Sequence, residues 1–350
     1  MSICIYKGSE KIVRKSGVGS AISHQEAILK DAGYDVVRHI DAETEAVHLN
    51  TVFPDSVIEA LIAKIRRKTV IYYGHSTMED FRNSFKGSNL MAPLFRKWIK
   101  LCYNMGDVIL TPTEYSRRLL ISYGIKKPIV ALSNGIDIRK FVPNTENRKI
   151  FRRKYNLSED KKVILSVGHY IERKGILEFI EMARKMPEVR FLWFGYTDPK
   201  LIPLKIQKAI KAAPTNVLFP GYVTPDELRC AYQGSDLFCF MSHEETEGIV
   251  VLEALACEIP VLVRDIPVYD DWLNNGVNVY KAADTNEFIG KAEKILNGSL
   301  PDLTKQGRDT AMERSFPEIA DKMKLIYQKY CTKKSPLTWK GEAVHENSDR

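Results

Sequence analysis

The sequence predicts an α/β protein of two Rossmann-like, doubly wound parallel sheets that face each other across a cleft. Short β-branched runs alternate with amphipathic helical stretches along almost the whole chain, the signature of repeated βαβ units. That rhythm breaks once, over the charged stretch 143–156, and restarts at Lys162. The 350 residues, 44% apolar and 27% charged, suffice for two cores of ordinary composition without disulfide staples.

In the first half the strand candidates are Ile3 to Tyr6, Asp35 to Arg38, Ala46 to Leu49, Thr69 to Tyr73, Asp107 to Thr111 and Ile129 to Leu132. In the second half they are Lys162 to Val167, Arg190 to Phe194, Val217 to Phe219, Leu237 to Phe240, Pro260 to Val263 and Asn278 to Tyr280. The expected units are 1–150 and 151–316, followed by a helix over 317–330 and a loose polar tail over 331–350. Ligands of such sheets sit beyond the carboxyl ends of the strands, so the cleft is the expected site.

Several classes are excluded. The opening MSICIYKGSEKIVRKSG has only four apolar residues before charges arrive, so a cytoplasmic protein is expected. No apolar run is long enough to span a bilayer. The six cysteines lack metal or disulfide spacing and read as reduced, mostly buried residues. The net charge is +8, and residues 61–100 hold nine Lys or Arg against two acids, seven of those eight charges. Such a patch suits an anionic membrane surface or a nucleic acid, and equally a solvated face. Without a zinc finger or an aromatic-basic platform, no nucleic-acid partner is expected.

Phosphate-handling features follow. Gly17 and Gly19, in Ser16-Gly17-Val18-Gly19-Ser20, stand between the first strand and a helix, where backbone can approach a diphosphate or simply turn tightly. Arg173 and Lys174 lie beyond the strand ending at Val167; cations at a helix start are disfavoured unless an anion offsets them, which points to a phosphate. Glu245 and Glu253 stand eight residues apart around a loop-to-helix junction, so both can reach one elongated ligand. The amides of Gly248, Ile249 and Val250 can hold a phosphate there, although an acidic first helical turn alone would also complement the dipole. Met91, Leu94, Phe95, Trp98, Leu101, Cys102 and Met105 recur at helical spacing with Arg96, Lys97 and Lys100 between them. Such a helix suits a membrane interface or an ordinary core.

Glu245 and Glu253 match the E-x7-E element of the retaining GT-B glycosyltransferases of group 1 and family 4, which the chain resembles up to Tyr330. Asn134-Gly135-Ile136-Asp137 is similar to their hinge signature, Gly221-Tyr222-Val223 to the nucleobase segment, and the last helix to one that crosses back to the first domain. The resemblance implies that Glu245 contacts the donor sugar, Glu253 the ribose, Arg173 and Lys174 the diphosphate, Val223 the base, and that His75 lines the reaction centre. There are two departures: His169 stands where the family commonly has arginine, and Thr246-Glu247-Gly248 replaces Gly-Phe-Gly, which leaves Glu247 beside the donor. Tyr72-Tyr73-Gly74-His75-Ser76-Thr77, Glu79-Asp80-Phe81, Val47 to Thr51 and Glu244 to Val250 most resemble bacterial enzymes that extend glucosyl-diacylglycerol. The implied donor is UDP-glucose or UDP-galactose, the implied acceptor glucosyl-diacylglycerol, and the product alpha-linked. No metal cofactor is expected, and attachment to the anionic inner face of the cell membrane would be peripheral. A soluble sugar, polysaccharide precursor or protein is the alternative acceptor.

Overall fold

The computed structural model describes residues 1–85 and 87–331. Six strands, β1 (Ser2–Tyr6), β2 (Asp35–Val37), β3 (Thr44–Leu49), β4 (Thr69–Tyr73), β5 (Val108–Thr111) and β6 (Ile129–Ala131), pair in parallel in the order β2-β1-β3-β4-β5-β6. Six more, β7 (Val163–Val167), β8 (Arg190–Phe194), β9 (Val217–Gly221), β10 (Leu237–Phe240), β11 (Val261–Arg264) and β12 (Tyr280–Ala282), pair in parallel in the order β12-β11-β10-β7-β8-β9. Helices cover both faces of each sheet, which is why central strands such as Leu237–Phe240 are apolar throughout.

All twelve expected strands form, the last displaced from its expected start. Asn278 is drawn off the strand because its side chain accepts from the Asn274 amide and donates to the Trp272 carbonyl and the Thr310 hydroxyl. The charged stretch before the second sheet is a helix, Thr145–Lys154, capped by the Asn144 side chain. It packs on helix Pro225–Gly234, where a Cβ at Gly234 would lie 2.2 Å from the Phe151 ring. A cut at 150/151 therefore falls inside a helix that belongs with the second sheet.

On one face of the first sheet, helix Gly17–Asp31 packs with the last helix, Phe316–Cys331, through Ile22, Ile28, Phe316, Ile319 and Met323. The Tyr327 hydroxyl and His48 Nε2 join the last helix to β3 at 2.8 Å. Helices Pro54–Ile65, Ser88–Asn104 and Glu114–Ser122 cover the opposite face. The chain crosses between sheets near Ile136 and returns near Ser315. The two crossings are laced together, with Ile136 N donating to Arg314 O and Phe316 N to Ile136 O. The expected tail, after Cys331, lies outside the described residues. Among the described residues no helix is long and apolar enough to cross a membrane.

Candidate active site

The carboxyl ends of the two sheets meet across the cleft. On the first wall, β4 runs into Gly74 and His75. His75 is 6% exposed and stacks on Tyr73 at 4.5 Å. Its Nε2 lies 3.0 Å from Asn50 Oδ1, which can only accept, so Nε2 carries the proton. Burial lowers the imidazole to about 3. His75 is thus a neutral hydrogen-bonding group near pH 7, not a proton shuttle.

On the second wall, β7 leads to a single 3-10 turn, Glu172–Lys174, ended by Gly175 at φ 80. A side chain at 175 would be strained there, and its Cβ would lie 2.4 Å from the Met241 carbonyl. That close approach carries Lys174 onto Glu245, with which it forms an ion pair, the carboxylate buried and the lysine partly so. Burial would raise the Glu245 carboxyl, but Lys174 and Arg173 outweigh it and hold it below its ordinary value. Burial lowers the Lys174 ammonium against the pull of Glu245.

Arg173 does not stand free for a phosphate. Its Nη1 reaches Asp80 Oδ1 at 2.8 Å and donates to the Glu244 carbonyl at 2.5 Å, and its Nε donates to Ser84 Oγ at 3.3 Å. It spans the cleft to the first wall. His169 does not replace the missing arginine as a cation either. Its Nδ1 donates to the Tyr196 carbonyl at 2.5 Å, and burial, with the Lys174 and Arg173 charges, lowers its pKa. Lys174, paired with Glu245, is the last residue of this turn.

Beyond β10 the loop turns at Gly248, φ 88, into helix Ile249–Ala256. The Ile249 and Val250 amides precede the first intrahelical bonds, so they point outward from the helix start, an arrangement suited to an anion. Glu253 is half-buried along this helix. Burial lifts its carboxyl to about 7, although the Tyr232 hydroxyl, donating to Oε2 at 2.7 Å, opposes the rise. Glu247 departs from its expected place beside the donor. Its Oε2 accepts from the Asn134 amide at 3.0 Å and from Asn134 Nδ2 at 2.6 Å, so the side chain is committed to the hinge crossing. It is buried, and burial raises its carboxyl.

The glycine segment also differs from a direct strand-to-helix turn, because a helical turn, Glu10–Val13, follows β1. A Cβ at Gly19 would lie 2.6 Å from the Val13 carbonyl, so packing against that turn explains this glycine. Gly17 opens the helix with nothing within 4 Å of its would-be Cβ. Just before it, the Lys15 ammonium lies 4.6 Å from the Tyr196 ring and 5.2 Å from that of Tyr222. This brings the glycine segment to the ends of β8 and β9, where Val223 follows, half-buried.

Sequence reasoning assigned no role to Asp80, Tyr115, Glu244 or Tyr269. The Tyr115 hydroxyl donates to Glu244 Oε2 at 3.1 Å, and the Thr113 hydroxyl to the Thr246 carbonyl at 2.9 Å, both across the cleft. The available signal was position alone: Asp80 stands five residues past His75, and Glu244 adjoins Glu245.

The expected membrane stripe splits in two. In helix Ser88–Asn104, Leu90 is 89% and Leu94 66% exposed, with Met91, Leu101, Lys97 and Lys100 also outward. Trp98 faces inward: its indole N–H donates to the Val52 carbonyl at 2.6 Å and its ring joins the core with Phe95 and Met105. Arg96 lies over the Tyr123 ring at 4.8 Å and donates to the Ser122 carbonyl. The neighbouring helix Pro54–Ile65 adds exposed Ile58, Leu61 and Ile65. Among the described residues no group of three or more His, Cys, Asp or Glu could hold a metal ion.

Comparison with known proteins gives a consistent picture. The family model for glycosyl transferases group 1 matches residues 147–311, and that for Glycosyltransferase Family 4 matches 18–140. The processive diacylglycerol alpha-glucosyltransferase of Acholeplasma laidlawii is 40% identical over 94% of this chain and 98% of its own length. The alpha-galactosylglucosyldiacylglycerol synthase of Streptococcus pneumoniae is 25% identical over 94% of this chain and 90% of its own. Among solved structures, Anabaena HepE in complex with UDP-glucose superposes with a TM-score of 0.77 at 14% identity, over 94% of this chain and all of HepE. Sucrose-phosphate synthase of Thermosynechococcus elongatus reaches a TM-score of 0.74 at 16% identity, over 94% of this chain and 98% of that one.

Proposed function

The chain belongs to the glycosyltransferases of group 1 and family 4, and from that premise we propose that it is a retaining enzyme moving a hexose from UDP-glucose or UDP-galactose to glucosyl-diacylglycerol. The product is an alpha-linked diglycosyl lipid. The observation that carries this reading is the Lys174–Glu245 ion pair beside the start of helix Ile249–Ala256, with Glu253 farther along the same helix. The 40% identical diacylglycerol glucosyltransferase supports the lipid acceptor.

Each part then has a task. Lys174 and the Ile249 and Val250 amides face the diphosphate, and their fixed charge and dipoles act most strongly as the sugar–phosphate bond breaks and negative charge grows. Glu245, kept ionised by Lys174, accepts hydrogen bonds from donor-sugar hydroxyls. Glu253 accepts from the ribose with the oxygen that Tyr232 leaves open. His75, neutral and fixed by Asn50, offers hydrogen bonds from the opposite wall. With a lysine and helix amides on the leaving group, turnover needs no divalent ion.

The outward faces of helices Pro54–Ile65 and Ser88–Asn104 dock on the cytoplasmic leaflet. Leu90, Met91 and Leu94 enter the interface, while Lys97, Lys100 and the basic run Lys64 to Lys68 meet anionic headgroups at about 1 kcal/mol each. The cleft is then held at the surface where the acceptor resides.

Incubating labelled UDP-glucose or UDP-galactose with anionic vesicles containing glucosyl-diacylglycerol, followed by linkage analysis, tests the reading. An alpha-linked diglycosyl lipid, formed equally well with a chelator present, is expected. Transfer to a soluble sugar with no lipid product would refute the lipid acceptor. A strict requirement for Mg or Mn would refute the role given to Lys174.

A further inference from the structure

The cleft contains a second set of polar groups to which the proposed donor site gives no role. Asp80 lies on the turn of helix Met78–Phe81, fixed from both sides. The Thr77 hydroxyl caps it, the Met78 amide donates to the Tyr123 hydroxyl at 2.9 Å, and the Ser76 amide donates to the Tyr103 hydroxyl at 3.1 Å. Next to Asp80, Phe81 stacks on Phe95 at 4.1 Å, which ties this turn to helix Ser88–Asn104 with its exposed leucines. Facing Asp80 from the second wall is Glu244, held by Tyr115. Between the two walls lies Arg173, 8% exposed, bonded to the Asp80 carboxylate and to the Glu244 main chain.

Two groups here await a partner. Glu244 Oε1 is shut off from solvent with no hydrogen-bond partner among the described residues, and so is the phenol of Tyr269. Tyr269 is fully buried, with its oxygen 3.1 Å from where a Gly248 Cβ would lie, and Glu245, Glu244 and Glu247 add to the effect of burial in raising its pKa. Orphaned buried polar atoms are costly, and a ligand that pairs with them recovers that cost. Asp80, by contrast, keeps 31% of its side chain open to the cleft.

We propose that Asp80 and Glu244, spaced across the cleft by Arg173, form the subsite that binds the hydroxyls of the acceptor's headgroup sugar. The Asp80 carboxylate is an acceptor-only group, suited to a polyol whose hydroxyls donate, and the Glu244 carboxyl, which burial raises to about 7, can accept from one hydroxyl or donate to another, while Arg173, committed to Asp80, the Glu244 main chain and Ser84, holds the two walls together. Diacylglycerol offers one hydroxyl and cannot engage both walls at once; a glycosylated lipid can. The subsite therefore selects an acceptor that already bears a sugar. Its connection through Phe81 and Phe95 to the membrane-facing helix places the headgroup in the cleft while the acyl chains remain in the leaflet. This inference rests on the glycolipid-transfer reading above and specifies its acceptor.

The test compares wild type with Asp80→Asn and Glu244→Gln, each measured on vesicles containing glucosyl-diacylglycerol and on vesicles containing diacylglycerol. The UDP-glucose Kd is measured separately by calorimetry. Losing a charge-assisted hydrogen bond raises the KM for glucosyl-diacylglycerol about tenfold or more. The UDP-glucose Kd stays within about threefold, and the diacylglycerol reaction shows no comparable rise in KM. An equal rise for both lipids, a donor Kd weakened in step with the acceptor KM, or an unchanged KM in both variants would each overturn the subsite. Wild-type enzyme that transfers to no glycolipid would overturn the proposed function itself, a result visible before any variant is made.

Discussion

Glu253→Gln should make the ligand-free protein more stable while weakening its hold on the nucleotide. Glu253 is half-buried with one hydrogen bond, from Tyr232, and desolvation raises its carboxyl from 4.5 to about 7. In the unfolded chain the group ionises near its ordinary value, so the fold favours the protonated form. Its contribution to stability is full below about pH 4.5 and is lost as pH rises through about 7. The difference between 4.5 and about 7, at about 1.4 kcal/mol per unit, amounts to about 3 kcal/mol. Glutamine keeps the shape and can still accept from Tyr232, but it has no charge to desolvate. The variant should thus exceed wild type by about 3 kcal/mol at pH 8 and by about 1 kcal/mol at pH 5. For a domain of this size that gap is a rise in Tm of about 5–10 °C at pH 8. Denaturation followed by tryptophan fluorescence, which reports on Trp193 and Trp272 of the second sheet's core, reads it directly. Calorimetry should show UDP binding weakened about tenfold or more, because a ribose hydroxyl loses its carboxylate. A variant no more stable than wild type at pH 8, or a gap that does not change with pH, would refute the account of Glu253 as a strained binding group.

Lys174→Ala removes the cation proposed to face the diphosphate and leaves Glu245 buried without its ion-pair partner. Turnover should fall about 100-fold or more with a smaller change in UDP-sugar Kd, and equal losses in both would reassign Lys174 to ground-state binding. On the exposed face of helix Ser88–Asn104, Leu90→Ser with Leu94→Ser should weaken vesicle attachment even at low salt, whereas Lys97→Glu with Lys100→Glu should release the protein from anionic vesicles only. Co-sedimentation at two salt concentrations separates these effects. Trp98→Ala should leave vesicle affinity intact and cost about 2 kcal/mol or more of stability, because the ring lies in the core and its N–H is bonded to Val52; weakened attachment in a folded Trp98→Ala protein would return Trp98 to the outer face.

The sequence by itself determined the two parallel sheets and the gathering of charged groups at their carboxyl ends. Strand propensity and burial on both faces act over four to six residues, so runs such as Val163–Val167 and Leu237–Phe240 declare themselves locally. Lys174, Glu245 and Glu253 were legible for a related reason: each lies within a few residues of a strand's carboxyl end or along one helix, where spacing in the chain translates into spacing in space. What only the tertiary structure decided were the partners of long, flexible or buried side chains. Arg173 has the reach to meet a diphosphate, yet Asp80, 93 residues earlier, holds it. Glu247 is two residues from Glu245 but turns to Asn134 at the hinge. Trp98 shares a helical stripe with Leu94, and a small difference in angle around the helix sends its ring to the core while Leu94 meets solvent. Charge and hydropathy report what a side chain can bind; which of several capable partners it takes is settled by packing, because burial makes every unmatched polar group costly and the fold determines which one stands within 3 Å.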